Sequence, residues 1–123
     1  MLEVSFKQLK PGMFFELANI WDFYVDLYAV LAKYKDRVIC YRFYRKFILK
    51  CSTRCPLKRI CNNHPHLCCF FIHDNDLRGC KLKVVPKLKV MTEIPLNALK
   101  DYKRIKKEVE SYVKKLSKRK VKR

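Results

Sequence analysis

The run Phe23-Tyr24-Val25-Asp26-Leu27-Tyr28-Ala29-Val30-Leu31-Ala32-Lys33-Tyr34, with Lys35-Asp36-Arg37 and then Val38-Ile39-Cys40-Tyr41-Arg42-Phe43, decides the fold. Two readings compete for its first half. As a helix over residues 13–33, it would carry Glu16, Asn19, Asp22, Asp26 and Lys33 every three, four or seven positions as a narrow wet stripe. As a strand over residues 23–33, it turns at Tyr34-Lys35-Asp36-Arg37 into a second strand over residues 38–49. In that second strand Tyr41, Phe43, Phe47 and Leu49 alternate with Arg42, Lys46 and Lys50. Enrichment in β-branched and aromatic residues suits a pleated surface. A long hairpin is therefore expected, launched by the turn signal Lys10-Pro11-Gly12.

Outward from the hairpin, the last element is the clearest. Leu99, Tyr102, Ile105, Val109, Tyr112, Val113 and Leu116 recur at three- and four-residue spacing, one apolar stripe of a helix over residues 95–120. Pro95 stands where helices start, and basic residues crowd the far end, where they complement the macrodipole. Ahead of it, Lys81-Leu82-Lys83-Val84-Val85-Pro86-Lys87-Leu88-Lys89-Val90 alternates like a strand interrupted by proline. The reading is α+β within one domain: a small antiparallel sheet, made of a hairpin over residues 1–50 and a basic strand over 81–94. A Cys/His-rich loop over 51–80, the C-terminal helix and a basic tail over 117–123 complete it.

The loop holds six of the seven cysteines and all three histidines. Cys51, Cys55, Cys61, His64, His66, Cys68 and Cys69 fall within nineteen residues, and Cys80 follows. Soft and borderline donors so close in the chain lose little entropy on converging on a metal. There is no C-x2-C knuckle, so ribbon-type patterns are absent. Mixed nitrogen and sulfur donors favour zinc. An iron–sulfur cluster with a redox or sensing role is the alternative, and disulfides in a structural protein, for instance viral and from a thermophile, are the third. Cys68 and Cys69 are adjacent, so one of the two at most is expected on a given metal, and Cys40, inside the apolar run, reads as a small hydrophobe.

The 123 residues carry 29 Lys+Arg against 11 Asp+Glu, a formal charge of +18. Residues 1–30 are net −2, which leaves +20 on the remainder. Basic side chains interleave with aromatics at Arg42, Arg45 and Lys46, sit inside the loop at Arg54, Lys58 and Arg59, and recur at Lys81, Lys83, Lys87 and Lys89. The C-terminal helix adds Lys103, Lys107, Lys114 and Lys118. Such a surface suits a polyphosphate backbone, because each neutralised phosphate releases counterions. RNA or a ribosomal partner is expected ahead of duplex DNA, since no helix-turn-helix or half-site device is readable.

Two glycines in the chain exclude Gly-rich phosphate loops. No hydrolase or zinc-protease motif is present, and Asp22 and Asp26 read as solvated or salt-bridged structural residues, so a non-catalytic protein is expected. Residues 13–32 lack Lys and Arg over a bilayer's length but contain Glu16, Asp22 and Asp26. Each carboxylate costs roughly 2.5–3.5 kcal/mol near a bilayer centre. No membrane span and no cleavable signal are expected, which suits a cytoplasmic location.

Overall fold

Successive side chains of a strand go to opposite faces, and here both faces receive apolar residues. The computed structural model describes residues 6–19, 24–44, 57, 59, 60, 64–72 and 80–121. β1 (Phe14–Asn19), β2 (Tyr24–Tyr34), β3 (Arg37–Arg42), β4 (Leu67–Phe71) and β5 (Cys80–Val85) form one antiparallel sheet in the order β4-β3-β2-β1-β5. Two helices follow, α1 (Lys87–Glu93) and the 26-residue α2 (Leu96–Val121). The arrangement is α+β.

The hairpin is β2 paired with β3, from Tyr28↔Arg42 to Tyr34↔Arg37. Lys35 makes its tight turn with φ of 54°, a region that non-glycine residues rarely enter. Residues 13–33 are therefore not a helix. A strand that alternation did not reveal, β1, precedes the hairpin and pairs with both β2 and β5. Gly12, at φ of 94°, makes the turn into β1; its N–H donates to the Val30 carbonyl, and Met13 closes the turn on Lys10.

One irregularity sets which residues face which side. The β2–β3 register passes from Val30↔Cys40 directly to Ala32↔Ile39, so Leu31 is the extra residue of a bulge. Leu31 and Ala32 consequently both reach the same core. That core joins Phe14, Leu27, Ala29, Ile39, Tyr41, Phe43 and Leu67 to Leu99, Tyr102, Ile105 and Val109 of α2. The opposite face carries Phe15, Tyr28, Val30, Val38, Cys40 and Leu82, with Phe6 and Leu9 packed on it from a 3-10 turn at Phe6–Gln8. Phe6 stacks on Phe70 at 4.7 Å between centroids and meets Phe15 edge-on.

Two expectations need correction. The basic strand over 81–94 ends at Val85, and Lys87–Glu93 is helix α1. Pro86 has no N–H for a ladder, and its φ of −62° leads into the helix, whose first bond runs from Val90 N–H to the Pro86 carbonyl. Val90 and Ile94, four apart, are then buried, while Leu88, which a strand would have buried with Val90, stays exposed. The second correction concerns residues 51–80, where Leu67–Phe71 is strand β4 on the edge beside β3.

Ile105 lies at 2% exposure in the middle of the helix–sheet contact. Ile105→Ala is expected to cost about 2–5 kcal/mol in urea unfolding, through lost transfer energy and the cavity left behind. Lys103→Ala, on the exposed face, should stay within about 0.5 kcal/mol of the parent. Equal effects from the two would contradict this packing.

Candidate nucleic-acid interface

Burial of Leu99, Tyr102, Ile105 and Val109 fixes the rotation of α2 and hence where its charges point. Lys100, Lys107 and Lys114 are seven residues apart, nearly two turns at 3.6 residues per turn, and so share one face. Lys103 and Lys118 fall on the same side, and all five lie on the exposed outer face. Among the described residues, none of these five lysines has a carboxylate within ion-pair distance.

Two of the three acids of the helix, Asp101 and Glu108, are used differently, while Glu110 is exposed beside the lysines. Tyr41 OH donates to Asp101 Oδ2 at 2.5 Å, and Arg104 Nη2 lies 2.7 Å from Asp101 Oδ1. Arg104 also approaches Glu108 Oε1 at 3.7 Å, while the other Glu108 oxygen lies 2.9 Å from His64 Nε2. These contacts tie the helix to β3 and to His64. Burial alone would raise the Asp101 carboxyl, but donation from Tyr41 and Arg104 outweighs it and holds the group below its ordinary value. Tyr41 is pushed the other way, by burial first and then by its bond to Asp101.

Beside this network is a groove of about 530 Å3. Arg59, Ile60 and His64 form one wall, and Lys107, Glu108, Ser111, Tyr112 and Lys115 of α2 form the other. Ile60 is buried and Tyr112 half-buried at its apolar end, whereas Arg59, Lys107 and Lys115 are exposed.

The residues singled out from sequence divide into groups. Lys103, Lys107, Lys114 and Lys118 share the outer face of α2, and Arg59 joins Lys107 at the groove. Lys83 is half-buried on β5, Lys87 is exposed on α1, and Lys89 lies 4.0 Å from Glu16. Arg42 is turned inward: its guanidinium pairs with buried Asp26 and covers the Tyr28 ring at 5.6 Å, so it does not extend the surface. Arg45, Lys46, Arg54, Lys58, Cys51, Cys55 and Cys61 lie outside the described residues, as do the side chains of Cys80 and Lys81.

Of the remaining donors, His64 faces Glu108, and His66 donates from Nδ1 to the Arg42 carbonyl at 2.7 Å while stacking on Tyr41 at 5.0 Å. Cys68 and Cys69 belong to opposite cores, Cys68 with Cys40, its direct partner across β3 and β4. Burial raises the Cys40 thiol well above its ordinary value, which suits a packing role. Among the described residues there is no group of three or more His, Cys, Asp or Glu placed to hold a metal ion. No helix among them is long and apolar enough to cross a membrane. Sequence reasoning passed over Lys100, Ser111 and Lys115; the seven-residue spacing through Lys107 was the readable signal for the first.

The Asp101 contacts predict a pH dependence. A carboxyl held below its unfolded value contributes stability that is complete above the ordinary carboxylate range, near about pH 4, and fades as pH falls through the folded-state value. Asp101→Asn should therefore lower Tm at neutral pH, with the gap to the parent narrowing below about pH 4. A gap that stays constant into strong acid would contradict the assignment.

No protein-family model, curated protein or solved structure matches the chain.

Proposed function

We propose that the protein is a small, basic, non-catalytic nucleic-acid-binding protein that prefers RNA and uses the outer face of α2 as its main contact surface. The observation that carries this reading is the stripe Lys100, Lys103, Lys107, Lys114 and Lys118, none of them ion-paired among the described residues, on a helix that engages two of its three acids, Asp101 and Glu108, along its flank. A merely solvated helix surface usually interleaves signs, because opposite charges three or four residues apart stabilise it. Here that pairing is confined to the flank. The five lysines run over about 27 Å between Lys100 and Lys118, at 1.5 Å per residue, and outnumber the one exposed acid beside them, Glu110. Such a row suits successive phosphates and gains from counterion release. The net charge of +18 supports the same reading through long-range steering.

Zinc is part of the proposal, held by Cys51, Cys55 and Cys61 with one further donor. Support comes from the chain: these thiols and four more Cys/His donors lie within nineteen residues. Such a site would close the segment between β3 and β4 and leave no open catalytic position.

Fluorescence anisotropy with a labelled single-stranded RNA tests the surface. Log affinity should fall linearly with log salt, by about 0.7 per phosphate contacted. Replacing Lys103, Lys107, Lys114 and Lys118 together by Gln should reduce that slope by up to about 3. An affinity indifferent to salt, or to the four substitutions, would overturn the proposal.

Elemental analysis of protein purified without chelators or added metal tests the zinc. About one equivalent is expected, with cysteines that resist alkylation until a chelator is added. A brown chromophore would replace zinc with an iron–sulfur cluster, and an unreduced mass short of protons would replace it with disulfides.

A further inference from the structure

The groove beside α2 has a composition that a simple phosphate track does not require. At about 530 Å3 it falls in the size range of small-molecule pockets. Its rim is cationic, through Arg59, Lys107 and Lys115, and Ser111 adds a hydroxyl between the two lysines of α2. Its apolar end is the half-buried ring of Tyr112 beside buried Ile60. The one carboxylate in the lining, Glu108, is already met by His64 at 2.9 Å and by Arg104 at 3.7 Å. Both of its oxygens thus have partners, and three cations of the lining stand against this single carboxylate, so the groove as a whole favours an anion.

Cations at the rim and an aromatic ring inside are complementary to a molecule with a phosphate at one end and a flat apolar face at the other. A nucleotide has both, but only when its base is unpaired. In a duplex the base faces are stacked on their neighbours and only phosphates and groove edges reach a protein surface. We infer that the groove accepts one unpaired nucleotide of a single strand, its base against Tyr112 and its phosphate between Arg59 and Lys115. This rests on the nucleic-acid reading above and deepens it, because it makes the preferred partner single-stranded. The lysine stripe would carry the neighbouring phosphates, with Lys107 common to the stripe and the groove.

Tyr112 separates this inference from its parent, because it carries no charge and is not on the lysine stripe. Anisotropy titrations of the full chain would use a single-stranded RNA of about 12 nucleotides and a duplex of the same length. Tyr112→Leu should weaken single-strand binding by about 5- to 150-fold, the range for loss of one base–aromatic stack, and leave duplex binding unchanged. Tyr112→Phe, which keeps the ring, should retain the parent affinity for both. Equal weakening of both forms by Tyr112→Leu, or of neither, overturns the single-nucleotide groove while leaving the lysine surface intact. Failure of the unmodified protein to bind either RNA overturns the parent reading and this inference with it. Because Tyr112 also packs against the core, photocrosslinking of unmodified protein to a 4-thiouridine-containing strand supplies a second measurement. Adducts are expected on the groove walls, and adducts confined to the outer lysine face would overturn the inference.

Discussion

The contact between α2 and the sheet is the constraint on which the other features depend. Leu99, Tyr102, Ile105 and Val109 must leave water together, and they do so against Phe14, Leu31, Tyr41 and Phe43. Tyr102 alone lies within 6 Å of the rings of Phe14, Tyr41 and Phe43. Each fully buried side chain of this kind is worth about 1.5–3 kcal/mol of transfer free energy, so rotating the helix by even one position would cost several of them at once. With that rotation fixed, the direction of every other side chain on α2 is fixed too. The lysines face outward because the apolar stripe faces inward.

Polar contacts refine what the hydrophobic contact sets. Tyr41 brings a hydroxyl out of the core to Asp101, and Asp101 in turn holds Arg104. Glu108 takes up the second Arg104 nitrogen and His64. This chain of contacts absorbs two of the three acids of α2 on the flank that faces His64. It leaves the outer face with an excess of one sign. Helix position and charge distribution are therefore linked: the contacts that anchor the helix hold Asp101 and Glu108 on its flank, and Glu110 is the one acid left beside five outer lysines.

Much of this was legible in the sequence, and the rest was hidden for physical reasons. The strand β3 and the helix α2 show their periods openly, because each has one continuous apolar pattern. β1 is harder to see: Phe14-Phe15-Glu16-Leu17 is apolar on both faces and so imitates a piece of helix. β4 is Leu67-Cys68-Cys69-Phe70-Phe71, and the Cys/His run around it draws attention to donor spacing and away from the strand alternation that sends Cys68 to one core and Cys69 to the other. The segment Lys87–Val90 alternates like a strand, but the decisive spacing is that of Val90 to Ile94, which spans the end of the apparent pattern. For the candidate interface, the stripe was readable from seven-residue spacing, whereas the groove was not. It joins Arg59 and His64 to Lys107 and Lys115, residues more than forty positions apart in the chain.

Apolar residues on both faces create a further difficulty, because a hydrophobic pattern normally fixes strand register by telling one face from the other. A one-residue slip of β3 along β2 would still place apolar side chains on both sides. Asp26 and Arg42 remove that degeneracy. Asp26 is 2% exposed, its Oδ2 takes the Arg42 guanidinium, and its Oδ1 has no hydrogen-bond partner among the described residues. Arg42 reaches it because Tyr28 and Arg42 are register partners and Asp26 lies two residues along, on the same face as Tyr28. A slip would carry Arg42 to the helix side and strand a buried carboxylate, a loss of about 3–5 kcal/mol by the usual cost of breaking such pairs. The ion pair, which adds little net stability against a well-packed apolar pair, thus selects the register in which Tyr41 faces α2 and meets Asp101. The position of the basic helix is in this sense decided on the opposite face of the sheet.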